Sequence, residues 1–445
     1  MTHASHNEAT TEHGLKHLHA IEGNTTSHHH EPLTFPKGFL WGTATSAYQV
    51  EGGNINSDWY EWEKKHKGKL VRMACGKATN HYALFQDDFE LVKEMHQNAH
   101  RLSIEWARIE PREGVWDYKE LEHYREVLHA LKSLKIKVML TLHHFTNPQW
   151  FSDVGGWTSP HAVQYFERYV RFVSKYLGEY VDFWITINEP LVYVSQAYIA
   201  GVWAPGIKSP MKAFKVFRTL LKAHKVAYEV IHERCRDRCM VGIANNVISL
   251  YAYRKHAIQD QLLLQATDWM WNHSFYTFSR SEHDFLGVNY YFHYRIKNAT
   301  LKPWNLFIDI KKENRDASDI GWEVYPPGIF DALLDLNAYQ LPIYITENGI
   351  ATDNDDRRAR FLVSYLKEIY HAIGAGVKVK GYFYWSLLDN YEWEKGFDAR
   401  FGLVGVDFKT YRRTVRPSGD AYTKICKDNA IAHELLKLLG HSVSL

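Results

Sequence analysis

Trp184-Ile185-Thr186-Ile187-Asn188-Glu189-Pro190 is an apolar, strand-like run that ends on a carboxylate against a proline. Far along the chain, Ile343-Tyr344-Ile345-Thr346-Glu347-Asn348-Gly349 ends the same way against a glycine. A carboxylate where a buried strand meets a turn is costly to hold unless it is hydrogen-bonded, paired or used. Two such sites point to acid/base or nucleophilic chemistry.

Outward from these runs, the chain from Phe35 onward alternates short apolar segments with longer amphipathic ones, the pattern of parallel strands joined by helices. Eight strands are predicted, over 39–46, 100–106, 137–144, 182–188, 240–246, 285–291, 342–347 and 379–386. After the third, Thr158-Ser159-Pro160 reads as a cap-and-proline helix start, followed by Val163, Phe166, Val170, Val173 and Leu177 on one face. Leu121, Tyr124, Leu128 and Leu131 make the same stripe after the second. No linker or fixed-period repeat divides the body. The predicted fold class is α/β, a single (β/α)8 barrel over 34–445.

Composition sets the bounds. A chain of 445 residues with 45% hydrophobic and 15% aromatic content can bury such a core. Its net charge of +2, with no long basic block, gives no indication of nucleic acid or an anionic membrane as partner. Small neutral ligands fit better, since aromatic faces stack on the C–H faces of sugars. Cys75, Cys235, Cys239 and Cys426 make no disulfide framework, and Cys235 and Cys239 lack the second pair a zinc site needs, so a reducing cytoplasm is expected. No apolar run is long enough for a signal sequence or a membrane span. Residues 1–33, rich in histidine, read as a disordered tail.

In a barrel of this kind the chemistry collects at the carboxyl ends of the strands. Gln49 follows strand one, Arg101 lies in strand two, His144 ends strand three, and Asn188 with Glu189 ends strand four. Asn289, Tyr290 and Tyr291 end strand six, Glu347 ends strand seven, and Trp385 with Glu392 and Trp393 follows strand eight. Asn245 and Asn246, ending strand five, receive no assignment. Two carboxylates facing across such a mouth are what acetal cleavage needs: one protonates the leaving oxygen, the other attacks or activates water.

These residues carry a resemblance. Phe39-Leu40-Trp41-Gly42, Tyr48-Gln49-Val50-Glu51-Gly52, His100-Arg101-Leu102-Ser103-Ile104-Glu105-Trp106, Asn188-Glu189-Pro190, Asn289-Tyr290-Tyr291, Ile345-Thr346-Glu347-Asn348-Gly349 and the stretch from Trp385 to Trp393 occur in order. From about Phe35 to about Lys427 the chain resembles glycoside hydrolase family 1, retaining β-glycosidases on one TIM barrel.

The resemblance implies that Glu189 is the general acid/base and Glu347 the nucleophile of a double displacement. It implies that Arg101 and Tyr291 support Glu347, that Asn188 holds the sugar 2-hydroxyl, and that Gln49, His144, Glu392 and Trp393 read hydroxyls 3, 4 and 6. Trp385 would be the stacking floor, and Phe401 joins the substrate-binding set. Relatives acting on thioglucosides usually carry Gln where this chain has Glu189, and those acting on 6-phosphosugars usually carry Ser where it has Glu392. A neutral β-glucoside, with β-galactosides and β-fucosides beside it, is therefore the expected substrate. The chemistry needs no cofactor and no metal. The implied partners are a small-molecule β-glycoside, no nucleic acid and no membrane, with nothing that fixes an oligomeric state.

Two other readings stand beside this one. A non-catalytic sugar-binding or regulatory barrel characteristically loses one or both glutamates, and both are kept here. Predominant transglycosylation differs only in whether a sugar or water reaches the covalent intermediate. One departure from the family pattern is plain: only residues 247–284 lie between strands five and six, where the family usually has a long excursion. The shortened segment predicts a more open mouth and loose aglycone selectivity.

Overall fold

In the computed structural model, which describes residues 31–235, 238–297 and 316–440, the eight predicted runs are the eight strands of one closed barrel. They are β1 Leu40–Ala44, β2 Ala99–Ser103, β3 Lys137–His143, β4 Phe183–Asn188, β5 Met240–Asn246, β6 Leu286–Asn289, β7 Ile343–Asn348 and β8 Val379–Trp385. Each pairs in parallel with the next, and β8 pairs with β1 to close the ring. Inside it pack Ala44, Ala99, Met139, Ile185, Ala244, Phe285, Tyr344 and Phe383, all buried. The lumen is a packed core rather than a pore, which fixes the strand ends as a rigid rim.

Helices follow the strands: α1 His81–Glu94, α2 Tyr118–Ser133, α3 Ala162–Leu177, α4 Pro210–Cys235, α5 Ser274–Phe278, α6 Pro327–Leu336, α7 Asp355–Gly374 and α8 Pro417–Asp428. The predicted stripes bury, Leu121, Tyr124, Leu128 and Leu131 on α2 and Phe166, Val170, Val173 and Leu177 on α3, with only Val163 left half-buried. The expected cap does not. Gly156–Thr158 forms a 3-10 turn and α3 begins only at Ala162, with no side-chain cap.

The predicted tail lies, through residue 30, outside the described residues. Leu33 and Thr34 pair antiparallel with Ile431 and Ala430, so the two ends of the body lie side by side. Asn429, in the left-handed region at φ 52°, accepts from Trp41 Nε1 at 2.9 Å and donates to the Phe35 carbonyl at 2.7 Å. The cysteines need a correction: Cys235 and Cys239 are joined by a disulfide across the end of α4, with Cα atoms 6.0 Å apart. Cys75 and Cys426 are free and buried. Among the described residues no helix is long and apolar enough to cross a membrane.

The shortened 247–284 segment contains a strand, Ser249–Ala252, that pairs in parallel with His293–Ile296 beyond β6. A helix over Ile258–Asp268 and a π-helical turn over Trp269–His273 then lead into α5. His273 anchors this segment to α6, its Nε2 lying 2.6 Å from Asp335 and 3.5 Å from Asp268.

Candidate active site

Glu347 ends β7. Arg101 Nη1 donates to its Oε1 at 2.5 Å and Tyr291 Oη to its Oε2 at 2.5 Å. Arg101 is 1% exposed and also reaches Asn188 Oδ1 at 2.6 Å, Thr141 Oγ1 at 3.3 Å and the Thr346 carbonyl at 3.0 Å. One guanidinium thus spans β2, β3, β4 and β7, using the fixed fork that makes arginine suited to such sites. Gly349 follows the last residue of β7, Asn348; any side chain at Gly349 would collide with the Trp385 carbonyl.

Glu189 ends β4 in a left-handed backbone, φ 43° and ψ 60°, an uncommon conformation for a residue other than glycine. Pro190 then opens a short helix over Pro190–Val194. Asn289 Nδ2 at 2.9 Å and Asn246 Nδ2 at 3.0 Å both donate to Glu189 Oε1. Burial first, and the Glu347 charge second, push the Glu189 carboxyl up to about 8, against the pull of the two asparagines and Arg101. With two donors on Oε1, the proton of the neutral acid belongs on Oε2. The two glutamates therefore sit in opposite surroundings, one among hydrogen-bond donors that suit a carboxylate, the other in a setting that keeps its proton.

Around them the cavity, about 660 Å³, is lined by Gln49, His144, Asn188, Trp385, Glu392, Trp393, Tyr291 and Phe401 as well as both glutamates. Arg101 sits beneath this lining. Gln49 Nε2 donates to Tyr391 O at 2.8 Å, Asn390 Oδ1 at 3.2 Å and Glu392 Oε2 at 3.3 Å. Burial pushes Glu392 up to about 8; Lys395 opposes this, while Glu394, Glu347 and Glu189 add to it. The His144 ring lies near-parallel to Trp385 and Trp393, with centroids 6.0 Å and 6.3 Å away. Burial, and then Arg101, hold His144 well below the ordinary histidine range. Asn188 Nδ2 lies 3.3 Å from its Nε2, so that nitrogen accepts and Nδ1 carries the hydrogen. His144 Nδ1 is buried without a protein partner, which leaves a donor for a ligand.

The sequence leaves three contributions without a role. Asn246 holds Glu189 and accepts from Trp271 Nε1 at 3.3 Å, an interaction across 25 residues that no local pattern announces. Asn289 bonds Glu189 directly and is itself oriented by Thr346 Oγ1 at 2.7 Å. Trp322 packs against Tyr291 and Phe401 at centroid distances of 5.3 Å and 6.2 Å and lines the cavity. Ile248, Leu250 and Trp271 from the shortened segment form its wall on the β5 side.

The family model for glycosyl hydrolase family 1 matches residues 31–280 and 272–431. The chain belongs to that family. It is similar to the 1,4-beta-D-glucan glucohydrolase of Thermotoga neapolitana, with 30% identity covering 89% of this chain and 99% of that one. It is also similar to a Beta-galactosidase of Pyrococcus woesei, with 29% identity covering 90% and 98%. Among solved structures, a beta-glycosidase from Pyrococcus horikoshii superposes with a TM-score of 0.85 at 39% identity, covering 92% of this chain and 99% of that chain. This family-1 member is a retaining β-glycosidase of the β-glucosidase type.

Proposed function

We propose that Glu347 is the nucleophile and Glu189 the acid/base that cleave terminal β-D-glucosides, with β-galactosides and β-fucosides as further substrates. A Glu347 oxygen attacks C1 while the C1–O bond to the aglycone breaks and the leaving oxygen takes the Glu189 proton. Glycosylation removes the Glu347 charge, so Glu189 gives up protons more readily and acts as base. Water then loses a proton to Glu189 as its oxygen attacks C1 and frees Glu347. The observation that carries this reading is the contrast between a Glu189 held near 8 and a Glu347 bound on both oxygens by Arg101 and Tyr291.

Asn188 is assigned to the 2-hydroxyl, where hydrogen bonds strengthen in the oxocarbenium-like transition state. Gln49, His144, Glu392 and Trp393 are assigned to the other hydroxyls and Trp385 to the sugar face. The short wall over 247–284 supports loose aglycone selectivity. A panel of nitrophenyl glycosides with anomer analysis of the first product tests the whole assignment. Retention, with turnover lost in Glu347→Ala by about 10⁴-fold or more, is the expected result; an inverted first product would overturn it.

A further inference from the structure

Between Pro190 and Tyr228 the chain has six cations, Lys208, Lys212, Lys215, Arg218, Lys222 and Lys225, and no acidic residue. The whole-chain balance of +2 conceals this concentration. On α4, helical spacing puts Lys215, Arg218 and Lys222 on the same face as Met211 and Phe214, and all five are exposed. Among the described residues, no ion pair engages Lys212, Lys215, Arg218 or Lys222; Arg218 lies instead over the Phe214 ring, 5.9 Å from its centroid.

The apolar part of this surface reaches a second helix. Met211 is 83% exposed and Phe214 62%. One turn on, Phe217 meets Phe278 at 6.3 Å, and Phe278 meets Trp269 at 5.9 Å. Trp269 ends the Ile258–Asp268 helix, which presents Ile258 and Leu262 to solvent, 75% and 62% exposed. The surface lies on the rim of the mouth, since barrel helices run antiparallel to their strands and α4 starts at the carboxyl end of β4. One of its segments also lines the cavity, Trp271 standing two residues after Trp269.

We propose that this rim docks on an anionic lipid surface, the cations against headgroup phosphates and Met211, Phe214, Leu262 and Trp269 in the interfacial layer. Exposed apolar side chains interspersed with lysine and arginine are the chemistry of an interfacial helix, not of a spanning one. A second copy of this chain is a poorer occupant, because a two-fold contact would set one cationic face against its twin. Docked this way, the mouth opens toward the membrane and receives glycosides whose aglycone is held there.

Flotation of the full-length chain with vesicles tests the docking, separately from turnover of a soluble aryl glucoside, so either reading can fail alone. Binding is expected to vesicles of phosphatidylcholine with phosphatidylglycerol, to weaken as salt rises, and to be absent with phosphatidylcholine only. Lys215→Gln with Arg218→Gln is expected to weaken it about thirtyfold, at about 1 kcal/mol per cation. Phe214→Ser with Leu262→Ser is expected to weaken it at least about tenfold, and both double variants to turn over aryl glucoside as the parent does. Three outcomes would overturn the proposal: no flotation at low salt, equal flotation of all variants, or a dimer that the charge-removing variant tightens. Retention on heparin without vesicle binding would overturn it too, in favour of an anionic polymer.

Discussion

Glu189 must be protonated to serve as acid, so its elevated value of about 8 sets the alkaline side of the activity profile. kcat/KM for an unactivated β-glucoside is expected to fall as pH rises through about 8. Glu392 titrates in the same range, and two variants separate them. Glu392→Gln should keep the alkaline limb; Glu189→Gln should lose it, with turnover of unactivated glucosides down about 10²–10⁴-fold and a dinitrophenyl glucoside still able to glycosylate Glu347. Stability shares this dependence. A carboxyl raised in the folded state from an ordinary 4.5 contributes stability that is fully present below about 4.5 and lost as pH rises through about 8. The Tm advantage of Glu189→Gln over the parent is therefore expected to grow between pH 6 and pH 9, measured by calorimetry.

At the scale of elements, the short β5–β6 segment has a task beyond closing the wall. Through Trp271 it orients Asn246, whose amide pulls the Glu189 carboxyl down. Asn246→Ala is expected to move the alkaline limb to higher pH and lower kcat, while Asn246→Asp would add a charge beside Glu189 and move it further. The segment is itself held by His273. Burial draws that imidazole down, but Asp268 and Asp335 raise it to about 11, so it is charged at neutral pH. His273→Ala should cost up to about 1 kcal/mol, because Asp335 is half exposed and water takes the place of its partner, read as a slightly lower urea midpoint at pH 7.

Most strands are legible as apolar runs between polar stretches, β2 with its His100, Arg101 and Ser103 being the exception, and the strand ends tell where the glutamates lie. Helix α3 starts at Ala162, later than Ser159 and Pro160 suggest, since the chain makes a turn at residues 160–161 before the first helical residue. Asn246, Trp271 and Trp322 were not legible. Their importance comes from partners 25 to 79 positions away, which only the folded chain brings near. The α4 surface was hidden for a different reason, an average over the chain in which acids elsewhere cancel its lysines.

Across the whole molecule, the ends of the body are stitched together by Leu33, Thr34, Asn429 and Ile431 next to the closing pair β1 and β8. Ending the chain after Asp428 removes the Asn429 bonds to Trp41 and Phe35 and the short antiparallel pairing. A fall of several degrees in Tm is expected from that truncation, with the aryl glucoside KM little changed because the cavity lies at the opposite end of the barrel. Ring closure also imposes an order on biosynthesis. Because the first stave bonds to the eighth, and the two glutamates belong to staves four and seven, a nascent polypeptide cannot complete its mouth before the eighth stave has left the ribosome.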